Sequence, residues 1–190
     1  MTQQLSKTAS AAIAQQDIQS ALEQQQQQLS QSFKLAMRRL TSTIAIVSTE
    51  HDGRPFGMVA TAVTSLCVDP PALLVCVNRN TSISRPLIQR GEFVVNLLRD
   101  VHRDLVGLFS GKLRGAERFQ HGHWDHSEGI PILADAQAAI VCKVDSQIHY
   151  GGHDVIVGRV ADIRVEEEIA PLLYQDGKLA ISRFLDLQSV

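Results

Sequence analysis

Hydrophobic and polar residues follow two rhythms along this chain, and the rhythm changes near residue 43. Before it, "QQDIQSALEQQQQQLSQSFKLAMRRL" contains neither glycine nor proline. Ile18, Leu22, Leu29, Phe33, Met37 and Leu40 recur there at three-, four- or seven-residue steps. This stripe, interrupted at Gln25, predicts an amphipathic helix that docks by its C-terminal half. The glutamine run reads equally as a frayed tail. A helix reserved for a partner or a dimer is the less favoured reading.

After it the rhythm is that of strands. "TIAIVST" ends at "EHDGRP", where Asp52-Gly53 signals a hairpin. "FGMVATAVTSLCV" reads as one strand, stopped by "DPP" because proline cannot donate to a ladder. "ALLVCVN" is a short unbroken apolar run, the mark of a fully buried strand. "SISRPLIQRG" predicts a short helix with Ser82 as cap, Pro86 in its first turn and Gly91 at its end. "EFVVNLL" is another strand. "RDVHRDLVGLFSG" is a helix bounded by Asp100 and Gly111. Residues 111–131 are polar and contain glycine, a long loop with helical fragments of the kind that is usually functional or mobile. "AAIVCKVDSQIHYGGHDVIVGRVADIRVE" reads as a long hairpin turning at Gly151-Gly152, and "PLLYQDGKLAI" as a last short pair. Six or seven strands joined largely by short turns fit a mainly β fold, an antiparallel barrel with peripheral helices, better than an alternating βαβ sheet. Residues 1–30 form a glutamine-rich helix or tail, and residues 31–190 the barrel domain.

Composition narrows the functional classes. At 190 residues and 44% apolar, the chain is long enough for one domain with a sizeable core. A net charge of -2 gives no electrostatic case for nucleic acid or an anionic membrane. No apolar run approaches the ~20 residues of a membrane span, and the polar N-terminus lacks the apolar segment of a secretory signal. Cys67, Cys76 and Cys142, odd in number and set in apolar runs, read as reduced core residues of a cytoplasmic protein rather than a disulfide framework.

Four stretches carry candidate chemistry. The strand containing Thr61, Ala62, Val63, Thr64 and Ser65 is thin on both faces, where a core strand would carry Ile, Leu or Phe. Close packing of a helix or second sheet explains that. So does a flat ring lying against the backbone, with amides and hydroxyls reaching its edge heteroatoms. "NRNTSISRPL" sets Asn78, Arg79, Ser82 and Arg85 before a helix start, donors that suit a phosphate; an ordinary capped helix is the simpler reading of that segment alone. "FSGK" places Ser110 and Lys112 at a helix end, where a cation is favourable anyway. In "YGGHD", His153 follows a glycine turn, either as an exposed hairpin histidine or as a residue over a bound substrate ring. "HGHWDH" has no strong zinc spacing, and no G-x-G-x-x-G, Walker A or nucleophile elbow frames a dinucleotide, phosphate or serine site.

Taken in order, "FKLAMRRLTSTIAIVST", "GMVATAVTSLCVDPPALLVCVNRNTSI", "FVVNLL", "LFSGK", "GGHDVIVGRV" and "PLLYQDGK" resemble the flavin reductase family, the reductase components of two-component flavin-dependent monooxygenases. The resemblance covers roughly residues 32–180. It implies a split β-barrel binding FMN or FAD, working as a homodimer, with NADH or NADPH donating a hydride to the flavin's N5. Reduced flavin would then pass by diffusion to a separate oxygenase. Carried over, Thr61 to Ser65 hold the isoalloxazine. Asn78, Arg79, Ser82 and Arg85 serve the ribityl phosphate end, Ser110 and Lys112 close over the flavin, and His153 contacts the nicotinamide. No acid–base pair is implied, because the cofactors carry the chemistry.

The chain departs from the family pattern at Val59, often Thr; at Cys67, often small or hydroxylated; and after Gly177, where Lys178 and Leu179 replace a frequent aromatic. That bears on the nicotinamide side. Competing readings are an FMN-retaining oxidase of the pyridoxamine-phosphate-oxidase type, a non-enzymatic flavin- or haem-binding module, and a flavin-free interaction protein built on the N-terminal helix.

Overall fold

The computed structural model describes residues 2–185, with side chains described from Gln15 onward except Asp17. The chain divides into a unit ending at Leu40 and a second beginning at Thr41. The first is one helix, α1 (Thr2–Met37), and the glutamine run lies within it.

The second unit is built on β1 (Ser42–Thr43), β2 (Ala45–His51), β3 (Arg54–Ala60), β4 (Val63–Val68), β5 (Pro71–Asn78), α2 (Ser84–Arg90), β6 (Glu92–Leu97), α3 (Arg103–Gly107), β7 (Trp124–Asp125), β8 (Ile132–Leu133), β9 (Ala138–Tyr150), β10 (His153–Val165), β11 (Leu172–Gln175) and β12 (Lys178–Ile181). Seven strands form an antiparallel sheet in the order β3-β2-β6-β9-β10-β5-β4. β1, β11 and β12 make a small second sheet.

The sheet order explains its curvature. β3 and β4 are consecutive in sequence yet stand at opposite edges, with only Thr61 and Ala62 between them. Two extended residues reach about 7 Å, so the two edges must approach each other and the sheet must roll into a barrel. The Cys76 N–H donates to the Ala62 carbonyl at 3.0 Å, carrying the β4–β5 ladder up to that seam.

Burial follows from the roll. Along β2, Ala45 and Val47 face one apolar cluster with Val75, Val77, Phe93, Val95, Cys142 and Ile156. Ile44 and Ile46 face a second with Val94, Leu98, Phe109, Phe119, Ile132 and Leu133. A strand covered on both sides reads as the unbroken run seen at 44–47. On the side of the second cluster, the buried Asn96 amide donates to the Ile46 carbonyl and the Ser48 hydroxyl, both at 2.9 Å, and accepts the Leu133 N–H at 2.8 Å. Ser48 in turn donates to the Pro131 carbonyl at 2.6 Å, tying the 130–133 segment to the barrel. At Gly158 a Cβ would stand 2.5 Å from the Phe93 ring, so glycine lets that ring fill the interior.

The hairpin at Asp52-Gly53, the long β9–β10 hairpin and the β11–β12 pair form where the sequence predicts them. Other expectations are corrected. "FGMVATAVTSLCV" is two strands, because the barrel seam falls inside it. The expected two-face alternation also fails in β4, which shifts register between Ser65 and Cys67 and is exposed at nearly every position. β5 is not buried throughout: Leu73, Val75 and Val77 point inward and their neighbours are partly covered. Ser82 does not cap α2. The cap position is Ile83, whose buried side chain packs in the barrel cluster; Gly91 closes the helix as expected, at φ 74°. The helix expected from Asp100 to Gly111 is a 3-10 turn at Asp100–His102, then α3, then a π-helical turn at Leu108–Lys112. There His102 Nδ1 accepts the Arg99 N–H at 3.1 Å, and Gly111 takes φ 115°.

Candidate functional site

Most of the residues singled out in the sequence fall in three places. Thr61, Val63, Thr64 and Ser65 line an apolar groove of about 520 Å³ with Cys67, Leu73 and Val160. Thr61 and Ala62 are exposed at the seam itself. Ser82 and Ser110 both line a second cavity, of about 700 Å³, whose other walls are Gly57 to Val59 of β3 and the π-helical turn. Residues 57–65 thus border the two hollows in turn, β3 the second and β4 the first.

Asn78, Arg79 and His153 meet at a mouth of the barrel. His153 opens β10 opposite Asn78 of β5, and the Arg79 N–H donates to the Gly152 carbonyl at 3.0 Å. The Asn78 carboxamide oxygen accepts the Asn80 N–H at 2.9 Å, and its carbonyl accepts the Thr81 hydroxyl at 2.6 Å. Those two bonds fold the chain from β5 into the second cavity's wall. The Arg79 guanidinium approaches Asp154 at 3.8 Å. Asp154 is 3% exposed and also bonds His149 Nδ1 at 2.5 Å. Burial pushes the Asp154 carboxyl up, but the bonds from His149 and Gln147 and the charges of His149 and Arg79 outweigh it and hold it below its ordinary value.

Arg85 and Lys112 line neither hollow. Arg85 is exposed in the first turn of α2. Lys112 folds back over Gly107, its Nζ 3.1 Å from where a Gly107 Cβ would stand.

Arg118 is the residue that sequence reading misses. It lies in the 3-10 turn Gly115–Gln120, is 7% exposed, and lines the second cavity. Its Nη1 donates to the Gly57 carbonyl at 2.8 Å and its Nε to the Gly115 carbonyl at 3.0 Å. Phe109, Phe119 and Trp124 form an aromatic cluster beneath it, with centroids 4.9–5.5 Å apart. Gly57 admits that cluster: a Cβ there would stand 2.9 Å from Phe109 and 3.0 Å from Phe119. The only sequence signal is a charged residue beside Phe119 in a polar loop. Arg164 steadies the loop's far side, donating from Nη1 to Asp125 at 2.8 Å and from Nη2 to Glu128 at 2.6 Å. The Arg164 bond holds the Asp125 carboxyl well below the usual carboxylate range.

The family profile described as "Flavin reductase like domain" matches residues 37–182. The reductase component of an FADH(2)-dependent resorcinol hydroxylase from Rhizobium sp. (strain MTP-10005) is 39% identical over 78% of this chain and 84% of that protein. The FMN reductase (NADH) RutF of Pseudomonas syringae pv. syringae (strain B728a) is 38% identical over 75% of this chain and 81% of its own length. Among solved structures, flavin reductase PheA2 in its native state superimposes with a TM-score of 0.74 at 27% identity, covering 80% of this chain and 98% of that one. The flavin reductase of the styrene monooxygenase from Pseudomonas putida S12 gives 0.73 at 25%, with the same coverages.

Proposed function

The chain belongs to the flavin reductase-like domain family, and on that premise we propose that it is an NAD(P)H:flavin oxidoreductase supplying reduced flavin to a separate monooxygenase. FMN or FAD is the acceptor and NADH the donor named for its relatives. When bound, the flavin supplies an N5 that accepts a hydride from the reduced nicotinamide, so the protein's task is binding and orientation.

The residues present fit such a group. Thr61, Ala62, Val63, Thr64 and Ser65 leave the backbone approachable at the seam, and their amides and hydroxyls offer partners for the edge of the ring system. Ser82 and Ser110 in the second cavity take the ribityl phosphate end, with Asn78, Arg79 and Arg85 on the adjoining turn and helix. Lys112 closes over the flavin from the π-helical turn, and His153 contacts the nicotinamide from the barrel mouth. Residues 31–190 carry this chemistry, and residues 1–30 stand outside it.

The protein works as a homodimer. Leu66, Val68, Ile148, Tyr150, Ile163 and Val165 are each about half exposed or more on β4, β9 and β10, apolar surface that a second copy would cover. Three unpaired thiols suit a cytoplasmic setting. Among the described residues, no helix is long and apolar enough to cross a membrane.

The observation that carries the reading is the small-residue run at the barrel seam, exposed there and lining the apolar groove. The test follows NADH and NADPH oxidation at the nicotinamide absorbance band, with and without added FMN or FAD. Turnover that requires and saturates with free flavin supports a diffusible-flavin reductase. A yellow protein without turnover would point instead to an FMN-retaining oxidase or a binding module, and a colourless, inactive one would leave only the fold.

A further inference from the structure

We infer that α1 is a self-association element: two copies of the chain join through it as an antiparallel pair that crosses at Leu29. The helix lies almost wholly outside residues 37–182, which the family profile matches, and the inference does not rest on the flavin reading. The starting point is a long helix with an uncovered apolar side. Every residue from Gln15 to Leu40 whose side chain is described is exposed, with Ile18, Leu22, Leu29, Phe33 and Leu40 at 56–63% each. A helix in water draws most of its stability from packing an amphipathic face, so this face calls for a partner.

The stripe has the form that a second copy fits. Ile18, Leu22, Gln25, Leu29, Phe33, Ala36 and Leu40 follow at steps of four, three, four, four, three and four. This is an eleven-residue repeat at about 3.67 residues per turn, close enough to the helical period to hold one side of α1. Helical bonds carry the stripe to its end: the Arg38 N–H donates to the Lys34 carbonyl at 3.1 Å and the Leu40 N–H to the Met37 carbonyl at 3.2 Å. The series also reads the same in both directions from Leu29. A two-fold axis there sets Leu29 on the partner's Leu29, Ile18 on the partner's Leu40 and Leu22 on the partner's Ala36. Gln25, which interrupts the apolar series, falls opposite the partner's Phe33. Leu22, Gln25, Gln26 and Leu29 border one hollow on the helix, at the spacing of the four residues that receive a knob, and that ring is the knob. An unrelated partner has no need of a palindromic stripe.

Charge selects the antiparallel sense. Glu23 stands toward one end of the stripe and Lys34, Arg38 and Arg39 toward the other, and none of them has an ion pair among the described residues. Glu23 accepts only the Gln19 amide, at 2.8 Å. Glu23 and Lys34 are eleven residues apart, so they share one flank of the stripe. Like flanks face each other in an antiparallel pair, and there Glu23 comes within one residue of the partner's Lys34, about 1.5 Å along the axis. A parallel pair would instead set Lys34, Arg38 and Arg39 level with their own copies, like charge against like.

The experiment is sedimentation velocity over a concentration series on the full chain and its variants, with Trp124 fluorescence melts confirming that the barrel unit stays folded. Leu29→Glu sets two carboxylates together on the axis and removes two buried leucines. It should raise the dissociation constant of the α1-dependent step roughly a hundredfold or more. Glu23→Lys and Lys34→Glu should each raise it about threefold to tenfold. The double variant Glu23→Lys, Lys34→Glu should restore it to within about twofold, a rescue that a merely helix-stabilising role does not produce. On the unaltered protein, amide exchange across 18–37 should slow as concentration rises, a measurement that needs no variant. Assembly indifferent to Leu29→Glu overturns the inference. So does a double variant as weak as the singles, which removes the antiparallel pairing, and so does exchange independent of concentration, which would mean that the stripe is covered by something other than a second copy.

Discussion

His153 and Asn78 stand directly opposite each other in the β10–β5 ladder, beside the point where the Arg79 N–H donates to the Gly152 carbonyl. The glycine turn thus holds an exposed imidazole at the barrel mouth. His153→Ala should raise the KM for NADH several-fold, the size of one lost hydrogen bond, while the flavin dissociation constant moves less than twofold. Steady-state kinetics beside a fluorescence titration check this, and equal effects on both constants would remove His153 from the nicotinamide side.

The thin seam makes a steric prediction. Ala62 is exposed and its neighbours are small, so Ala62→Leu adds bulk where the ring would lie without disturbing the core. Flavin affinity should fall tenfold or more while stability stays within about 0.5 kcal/mol of the original. Thermal melts and flavin titrations of the same preparation separate the two effects.

Gly57 is limited by packing rather than by conformation. A Cβ there meets Phe109 at 2.9 Å and Phe119 at 3.0 Å. Gly57→Ala should cost about 1–3 kcal/mol of stability by overpacking, read from denaturant midpoints, and should also weaken FMN binding because Phe109 walls the second cavity.

The thiols are not all core residues, as their apolar runs suggest, because β4 is an exposed edge strand, and they should react in order of exposure. Cys67 is exposed and lines the groove beside Ser65, Cys76 is partly covered, and Cys142 is buried with its pKa pushed up to about 12 by burial. Alkylation at pH 8 followed by mass spectrometry should label Cys67 first and Cys142 only after unfolding. Saturating flavin should slow labelling of Cys67; labelling at the same rate with and without flavin would place the ring away from β4.

Asp154 gives a pH dependence. Its carboxyl is held below its ordinary value in the folded protein. Its contribution to stability is therefore present above the unfolded carboxyl pKa of about 3.9 and lost as pH falls through the lower folded value. Asp154→Asn should flatten the acid limb of a urea-stability curve below about pH 4, and an acid limb of unchanged slope would show that the carboxylate's partners do not favour its charge.

Much of this was legible in order along the chain. The hairpin at Asp52-Gly53, the long hairpin at Gly151-Gly152 and the last pair at Asp176-Gly177 declare themselves because turn chemistry is local: it depends on which residues accept positive φ. The seam at Thr61-Ala62 was not legible as a break. Nothing in "FGMVATAVTSLCV" interrupts a strand; only the pairing of β3 with β2 and of β4 with β5 pulls its halves to opposite edges. Ser82 failed as a cap for a similar reason, since burial of Ile83 and Leu87 in the barrel cluster places the start of α2.

By itself, the sequence determined the mainly β character, the turns, and the small-residue run that points to a flat ligand. All of these are set by side-chain size, polarity and backbone preference within a few residues. Only the tertiary structure decided that this run forms a barrel seam, that Arg79 turns toward Asp154, and that Arg118 stands buried in a cavity wall with Ser82 and Ser110, with no carboxylate partner among the described residues. Charge pairing and cavity walls join residues tens of positions apart, and in a β-barrel it is long-range strand pairing that brings them together.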